Sequence, residues 1–283
     1  MDVWRSGKQK PRNKESFSTK NHTSIPQGFH TSNLIDTHSH MDMKDFEDLD
    51  AIISNAKNVG VEKIIIPSVD SSSFEKIIEI SNKYDGVYCA LGIHPSEVQK
   101  AKDDDFEEII KLSTDKKVVA IGECGLDYYW DKSFVEEQKR AFLKQIEIAK
   151  TLKKPLIVHD REAHPDTFEM LKDIKEIPVI MHCFSGSWEF AKECIKKGFY
   201  IALGGVVTFK NAKKVHEIAK NIPLEHLLLE TDAPYLTPEP FRGKRNEPAY
   251  VKFVAEKIAE LRGVSFEEIA HATTTNANEV FRF

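Results

Sequence analysis

Histidines and carboxylates stand where the apolar runs of this chain end. LIDTH (34–38) closes on His38 and leads to His40, and VYCALGIH (87–94) closes on His94. VVAIGECGLD (118–127) contains Glu123. PLIVHD (155–160) and PVIMHCF (178–184) carry His159 and His182, and LLLETDAP (227–234) carries Glu230 and Asp232. Burying a polar side chain without a partner is costly. One at a time, each histidine reads as a hydrogen-bonded core or surface residue, and Asp232 as a helix N-cap. Together they point to a shared partner. The His38-Ser39-His40 spacing sets two imidazoles on one face of an extended chain. Nitrogen and oxygen donors without thiolate suit Zn²⁺ or Mn²⁺, and a pure Mg²⁺ site would use more oxygen. The two oxygens of Glu123 can bridge two ions. Such a pair, about 3.5–4 Å apart, activates water and holds a phosphoryl oxygen.

The elements that must position these residues are legible as well. Further Val-, Ile- and Leu-rich runs lie at VEKIIIPSV (61–69) and FYIALGG (199–205), for eight in all. Near-continuous apolar runs are the mark of strands buried on both faces of a parallel sheet. Amphipathic stretches separate them. DFEDLDAIISNAKNVG ends on Gly60, a suitable residue just past a helix. SFVEEQKRAFLKQIEIAKTLK turns Phe134, Phe142, Leu143, Ile146 and Ala149 toward the sheet. SWEFAKECIKKG opens on Ser187 as N-cap and closes on Gly198. The tail SFEEIAHATTTNANEVF reads as one or two helices covering one end. Eight strand–helix units predict an α/β fold of the (β/α)₈ TIM-barrel type. An open doubly wound sheet is the alternative, because closure is not written in a sequence. In a barrel the polar run-ends converge on one mouth.

Composition narrows the partners. The chain has 283 residues, 41% of them hydrophobic, enough for one sizeable core. The formal net charge is −5, so a nucleic acid would be gripped at a local site and not along a broad basic face. Residues 1–33 carry a local charge of +4 against −9 for the rest, with few apolar residues and no periodicity. They are expected to be a disordered extension, with 34–283 as a single barrel domain. Cys89, Cys124, Cys183 and Cys194 form no C-x-x-C pair and read as reduced thiols of a cytoplasmic protein. Strand alternation points Cys124 and Cys183 away from the neighbouring Glu123 and His182. No run reaches the roughly 20 apolar residues of a membrane span, and no signal-peptide core is present. No membrane contact and no obligate protein partner are expected, and a monomer or small homo-oligomer is.

LIDTHSH, LGIHP, IGECGLDYY, PLIVHDREAH, HCFSGS, LLLETDAPYL and RGKRNEP occur in that order. In order and spacing they resemble the TatD family of metal-dependent hydrolases, from Leu34 to Phe283. The resemblance implies that His38, His40 and Asp232 hold one divalent metal ion and His159 and His182 a second, with Glu123 between them. Zn²⁺, Mn²⁺ or Mg²⁺ are the candidate ions. His94 is implied as a phosphate contact. Asp232 and Glu123 are then the catalytic pair. The implied activity is metal-dependent cleavage of DNA phosphodiester bonds, 3′→5′ and favouring single strands. Arg161 brings a fixed positive charge that can grip phosphate, or pair with Asp160, Glu162 or another rim carboxylate. FRGKRNEP adds a basic loop with Arg242, Lys244, Arg245 and Asn246, the last a further substrate-binding candidate. Tyr128, Tyr129 and Trp130 can stack on bases or pack under their loop. The rival readings are a barrel amidohydrolase, esterase or lactonase, an aminoacyl-tRNA deacylase, and a non-catalytic module that keeps metal for structure. A carboxylated-lysine subtype is disfavoured, since no Lys lies in the second half of 118–127.

Overall fold

The computed structural model describes residues 33–283. The extension expected over 1–33 lies, but for Asn33, outside the described residues. Eight parallel strands follow one another around the sheet in chain order. They are β1 (Leu34–Asp36), β2 (Val61–Pro67), β3 (Val87–Leu91), β4 (Val118–Asp127), β5 (Leu156–Arg161), β6 (Val179–Met181), β7 (Tyr200–Leu203) and β8 (Leu227–Leu229). Past the ends of β1 and β8 the ring is drawn together. Thr37 donates its N–H to Leu229 O (3.1 Å), Asp232 to His38 O (2.9 Å) and His40 to Ala233 O (2.7 Å). Ser39 and Ala233 form a parallel bridge. The open-sheet alternative is excluded: this is a nearly closed (β/α)₈ barrel.

Each strand gives at least one side chain to an interior layer that includes Ile35, Ile65, Ala90, Ile157, Ile180 and Leu228. Period two then carries the same inward face to the mouth, from Ala90 to His94, Ile157 to His159, Ile180 to His182 and Leu228 to Glu230. In β4 the register shifts between Ile121 and Cys124. Ala120 faces inward before the shift, and Glu123 and Asp127 turn toward His159 after it. Two glycines permit the tight approach of β4 to β5. Gly122 has φ +137° and Gly125 φ +140°, and a Cβ on Gly125 would stand 2.0 Å from His159 O.

Helices α1 (Leu49–Asn58), α2 (Phe74–Lys83), α3 (Asp103–Leu112), α4 (Val135–Leu152), α5 (His164–Leu171), α6 (Trp188–Lys196), α7 (Lys213–Asn221) and α8 (Val251–Arg262) surround the barrel. The Ser187 hydroxyl caps α6 by accepting from Phe190 N. Along α4, Phe134, Phe142, Ile146 and Ala149 are buried. Leu143 is not: it is 53% exposed, because it lies roughly a quarter-turn around the helix from the face that Phe142 and Ala149 share. Two polar residues share that inward face. Gln138 accepts from Asp127 N (2.8 Å) and donates to Asp127 O (3.0 Å). Gln145 does the same at Ile93, at 2.7 and 3.1 Å. One helix face thus satisfies the backbone at two strand ends beside the mouth. The tail forms a single helix, α9 (Phe266–Phe281), capped by the Ser265 hydroxyl on Glu268 N. Its Ala277, Val280 and Phe281 join the interior layer, and Asn276 donates to Leu227 O at the foot of β8. It closes the barrel end opposite the mouth. No described helix is long and apolar enough to cross a membrane.

Candidate metal centre

The strand ends bring His38, His40, Glu123, His159, His182 and Asp232 together around the Glu123 carboxylate. Oε2 of Glu123 lies 3.1 Å from His38 Nε2 and 3.5 Å from His40 Nε2. The two Nε2 atoms are 3.2 Å apart. Asp232 Oδ1 completes this half at 3.6 Å from His40 Nε2 and 3.9 Å from His38 Nε2. Oε1 of Glu123 faces the other half: His159 Nδ1 at 2.8 Å, His94 Nε2 at 3.5 Å and His182 Nε2 at 3.7 Å.

These donors fit divalent ions. A tetrahedral ion bound at 2.0–2.1 Å holds its ligand atoms about 3.3 Å apart, close to the His38–His40 and His38–Glu123 separations. Buried carboxylates also set the tautomers. His159 directs Nε2–H to Asp127 Oδ2 (3.0 Å), which leaves Nδ1 for the centre. His182 directs Nδ1–H to Glu230 Oε2 (2.8 Å), which leaves Nε2. Glu230 is itself fixed by the N–H of Cys183 on Oε1 (2.7 Å). A carboxylate behind the ring is the usual support of a metal-binding imidazole. The Nδ1 atoms of His38 and His40 are buried and have no hydrogen-bond partner among the described residues.

His94 differs. Its Nδ1 accepts the N–H of Ser96 at 3.1 Å. The proton must therefore sit on Nε2, which faces the centre as a donor. An imidazole in that state does not ligate an ion through Nε2 but can donate to an anionic oxygen. Burial pushes its pKa down to about 3, so the ring is neutral.

Charge is shared unevenly. Burial alone would raise the Glu123 carboxyl, but the surrounding imidazoles, His182 foremost, hold it well below the usual range. Burial and the adjacent charge of His182 press His38 well down. The two rings are stacked with centroids 3.5 Å apart, so only one takes a proton. Burial likewise lifts Asp232 to about 6, against the opposing pull of His182 and His40.

Several sequence expectations change here. Asn246 is fully buried. It donates to Thr231 O (2.8 Å) and Tyr235 O (2.6 Å) and accepts from Glu247 N (2.9 Å). Its amide clamps the loop after β8 and offers nothing to a substrate. Arg245 is drawn into a two-pronged pair with Asp48 at 3.0 and 3.2 Å, so the basic loop is partly neutralised from within. Arg161 lies with its guanidinium 3.9 Å from the centre of the Tyr129 ring. Of the carboxylates offered as its ion-pair partners, Asp160 takes His164 at 2.7 Å. Cys124 points away from the centre, into the layer between barrel and helices. Cys183 does not. Its φ is +44°, so strand alternation no longer applies, and its sulfur lies near His182 and Glu230. Sequence reasoning gave no role to Asp127 and counted Glu230 only among the strand-end donors, without a part of its own. The signal for Asp127 was a carboxylate four residues after Glu123 in an apolar strand.

The barrel and this centre define a metal-dependent hydrolase. The family model for TatD related DNases matches residues 35–282, and the chain belongs to the TatD family. It is 49% identical to the uncharacterized metal-dependent hydrolase YabD of Bacillus subtilis strain 168, over 88% of this chain and 99% of that protein. It is 37% identical to the uncharacterized metal-dependent hydrolase YcfH of Escherichia coli K12, over 88% and 95%. Among solved structures, the TatD homologue YjjV of Escherichia coli K12 superposes with a TM-score of 0.85 at 34% identity, covering 90% of this chain and all of that one.

Proposed function

We propose that this protein hydrolyses DNA phosphodiester bonds with two divalent ions, as a 3′→5′ exonuclease favouring single strands. The observation that carries the reading is the placement of Glu123. Its two oxygens face two separate groups of ring nitrogens, His38 and His40 on one side and His159 and His182 on the other. Zn²⁺, Mn²⁺ or Mg²⁺ suit these donors. When bound, the ions supply an activated water and polarise a phosphoryl oxygen. Family membership supports DNA as substrate; strand preference and direction rest on the resemblance of the motifs.

The protein's own groups take complementary parts. Asp232 points Oδ1 between His40 and His182. It would hold the attacking water and accept its proton. His94 donates Nε2–H to a non-bridging phosphate oxygen. Glu123 fixes the separation of the two halves. Arg161 adds positive charge at the rim for the same anion.

The test is degradation of an end-labelled single-stranded oligonucleotide with Mg²⁺, Mn²⁺ or Zn²⁺, with EDTA and Asp232→Asn as controls. Metal-dependent shortening from the 3′ end that is lost in both controls is expected. If protein that holds two ions cleaves nothing, the reading shifts to an amide, ester or lactone hydrolase.

A further inference from the structure

Among the described residues, exposed large aromatic side chains are confined to one part of the protein. They are Trp130 at 73% exposure, Tyr235 at 50% and Tyr129 at 37%. All three lie on loops that leave the mouth of the barrel, after β4 and after β8. None stands on the outer helical surface, although that is most of the protein. Their clustering at the mouth, and not the exposure of any one of them, is what calls for a partner.

Tyr129 and Trp130 are built into a platform. Their rings meet edge to face with centroids 4.9 Å apart. The Arg161 guanidinium lies over Tyr129 at 3.9 Å and is 5.2 Å from the Trp130 ring. Arg161 is also close enough to the inner site for its charge to act on Cys183, next to His182. Tyr128 is not part of the platform, because its hydroxyl is held by Asp166 at 2.8 Å. The backbone beneath the platform is tied to the centre by one carboxylate. Oδ1 of Asp127 accepts the N–H groups of Tyr129 (2.9 Å) and Trp130 (3.3 Å), while Oδ2 receives His159. The platform is thus held in fixed register with a side chain of the centre.

We propose that Tyr129 and Trp130 form a stacking subsite for an unpaired nucleobase next to the scissile phosphate, with Arg161 as the positioning residue behind it. This rests on the nuclease reading and adds to it a reason for single-strand preference: a base paired and stacked in a duplex cannot lie on the platform. Stacking accepts any base, since each has a π-face, so cleavage should depend little on sequence.

The test compares a plain single strand with one carrying abasic positions at its 3′ end, on wild-type protein and on Trp130→Ala and Tyr129→Ala. Both side chains are exposed enough to be removed without opening the core. Loss of a stacked base costs roughly 5- to 150-fold. Wild type should lose that factor in kcat/KM on the abasic strand, mostly through KM. Trp130→Ala should lose it already on the plain strand and little more on the abasic one. Leu143→Ala, an exposed apolar side chain on α4 outside the site, serves as the control and should match wild type. Equal sensitivity to base removal in wild type and Trp130→Ala would overturn the proposal. Equilibrium binding of both strands to Asp232→Asn protein gives an independent reading. If no strand is cleaved, the nuclease reading fails. The subsite then stands only if binding discriminates the strands and Trp130→Ala abolishes the discrimination.

Discussion

Asp127 receives the Nε2–H of His159 at 3.0 Å, and this contact turns Nδ1 of the ring onto Glu123. Burial would raise the Asp127 carboxyl, but its bond to His159 and the N–H groups of Tyr129 and Trp130 hold it below its ordinary value. Asp127→Asn keeps the shape and removes the charge that fixes this tautomer. Metal affinity should fall by about 10–100-fold with the fold intact. Chelator competition measures it. Unchanged affinity would show that His159 needs no such support.

Metal binding should release protons. Burial opposes charge on His159 and His182, yet their carboxylate partners outweigh it. Asp127 and Glu123 lift His159 to about 9, and Glu230 and Glu123 lift His182 to about 10. Both rings are therefore protonated at pH 7 in the metal-free protein, and each must bare one nitrogen to ligate. Affinity should rise with pH and level off only above about 9–10. Titration calorimetry in two buffers of different ionisation heat, at pH 7, should register about two protons released per protein. Identical heats in both buffers would contradict this.

Asn246→Ala separates a loop clamp from a substrate contact. The change leaves the carbonyls of Thr231 and Tyr235 without their donor. The Thr231 carbonyl is buried, and leaving such a group unsatisfied costs about 1–3 kcal/mol, so Tm should drop by several degrees. An unchanged Tm with a raised KM for DNA would return Asn246 to the substrate.

The strands and the six converging side chains were legible for one physical reason. His38, Glu123, His159 and the rest interrupt or end runs that are otherwise apolar, and such interruptions need a partner. Groups that act through another residue left a fainter mark. Asp127 and Glu230 set ring tautomers, which no spacing rule reports. Leu143 follows Phe142 in an apolar pair but lies roughly a quarter-turn off the inward face, where Gln138 and Gln145 stand with their amides on the backbone of Asp127 and Ile93. Cys183 escaped strand alternation because its backbone is left-handed. Barrel closure depends on contacts between residues nearly 200 positions apart, such as Thr37 with Leu229, and these are invisible in a local pattern.

The most direct test of the account is anomalous scattering from crystals of the protein grown with Mn²⁺. Two peaks about 3.5–4 Å apart should flank the Glu123 carboxylate, one among His38, His40 and Asp232 and the other beside His159 and His182. A single peak, or a second one away from Glu123, would contradict the bridging role on which the proposed chemistry depends.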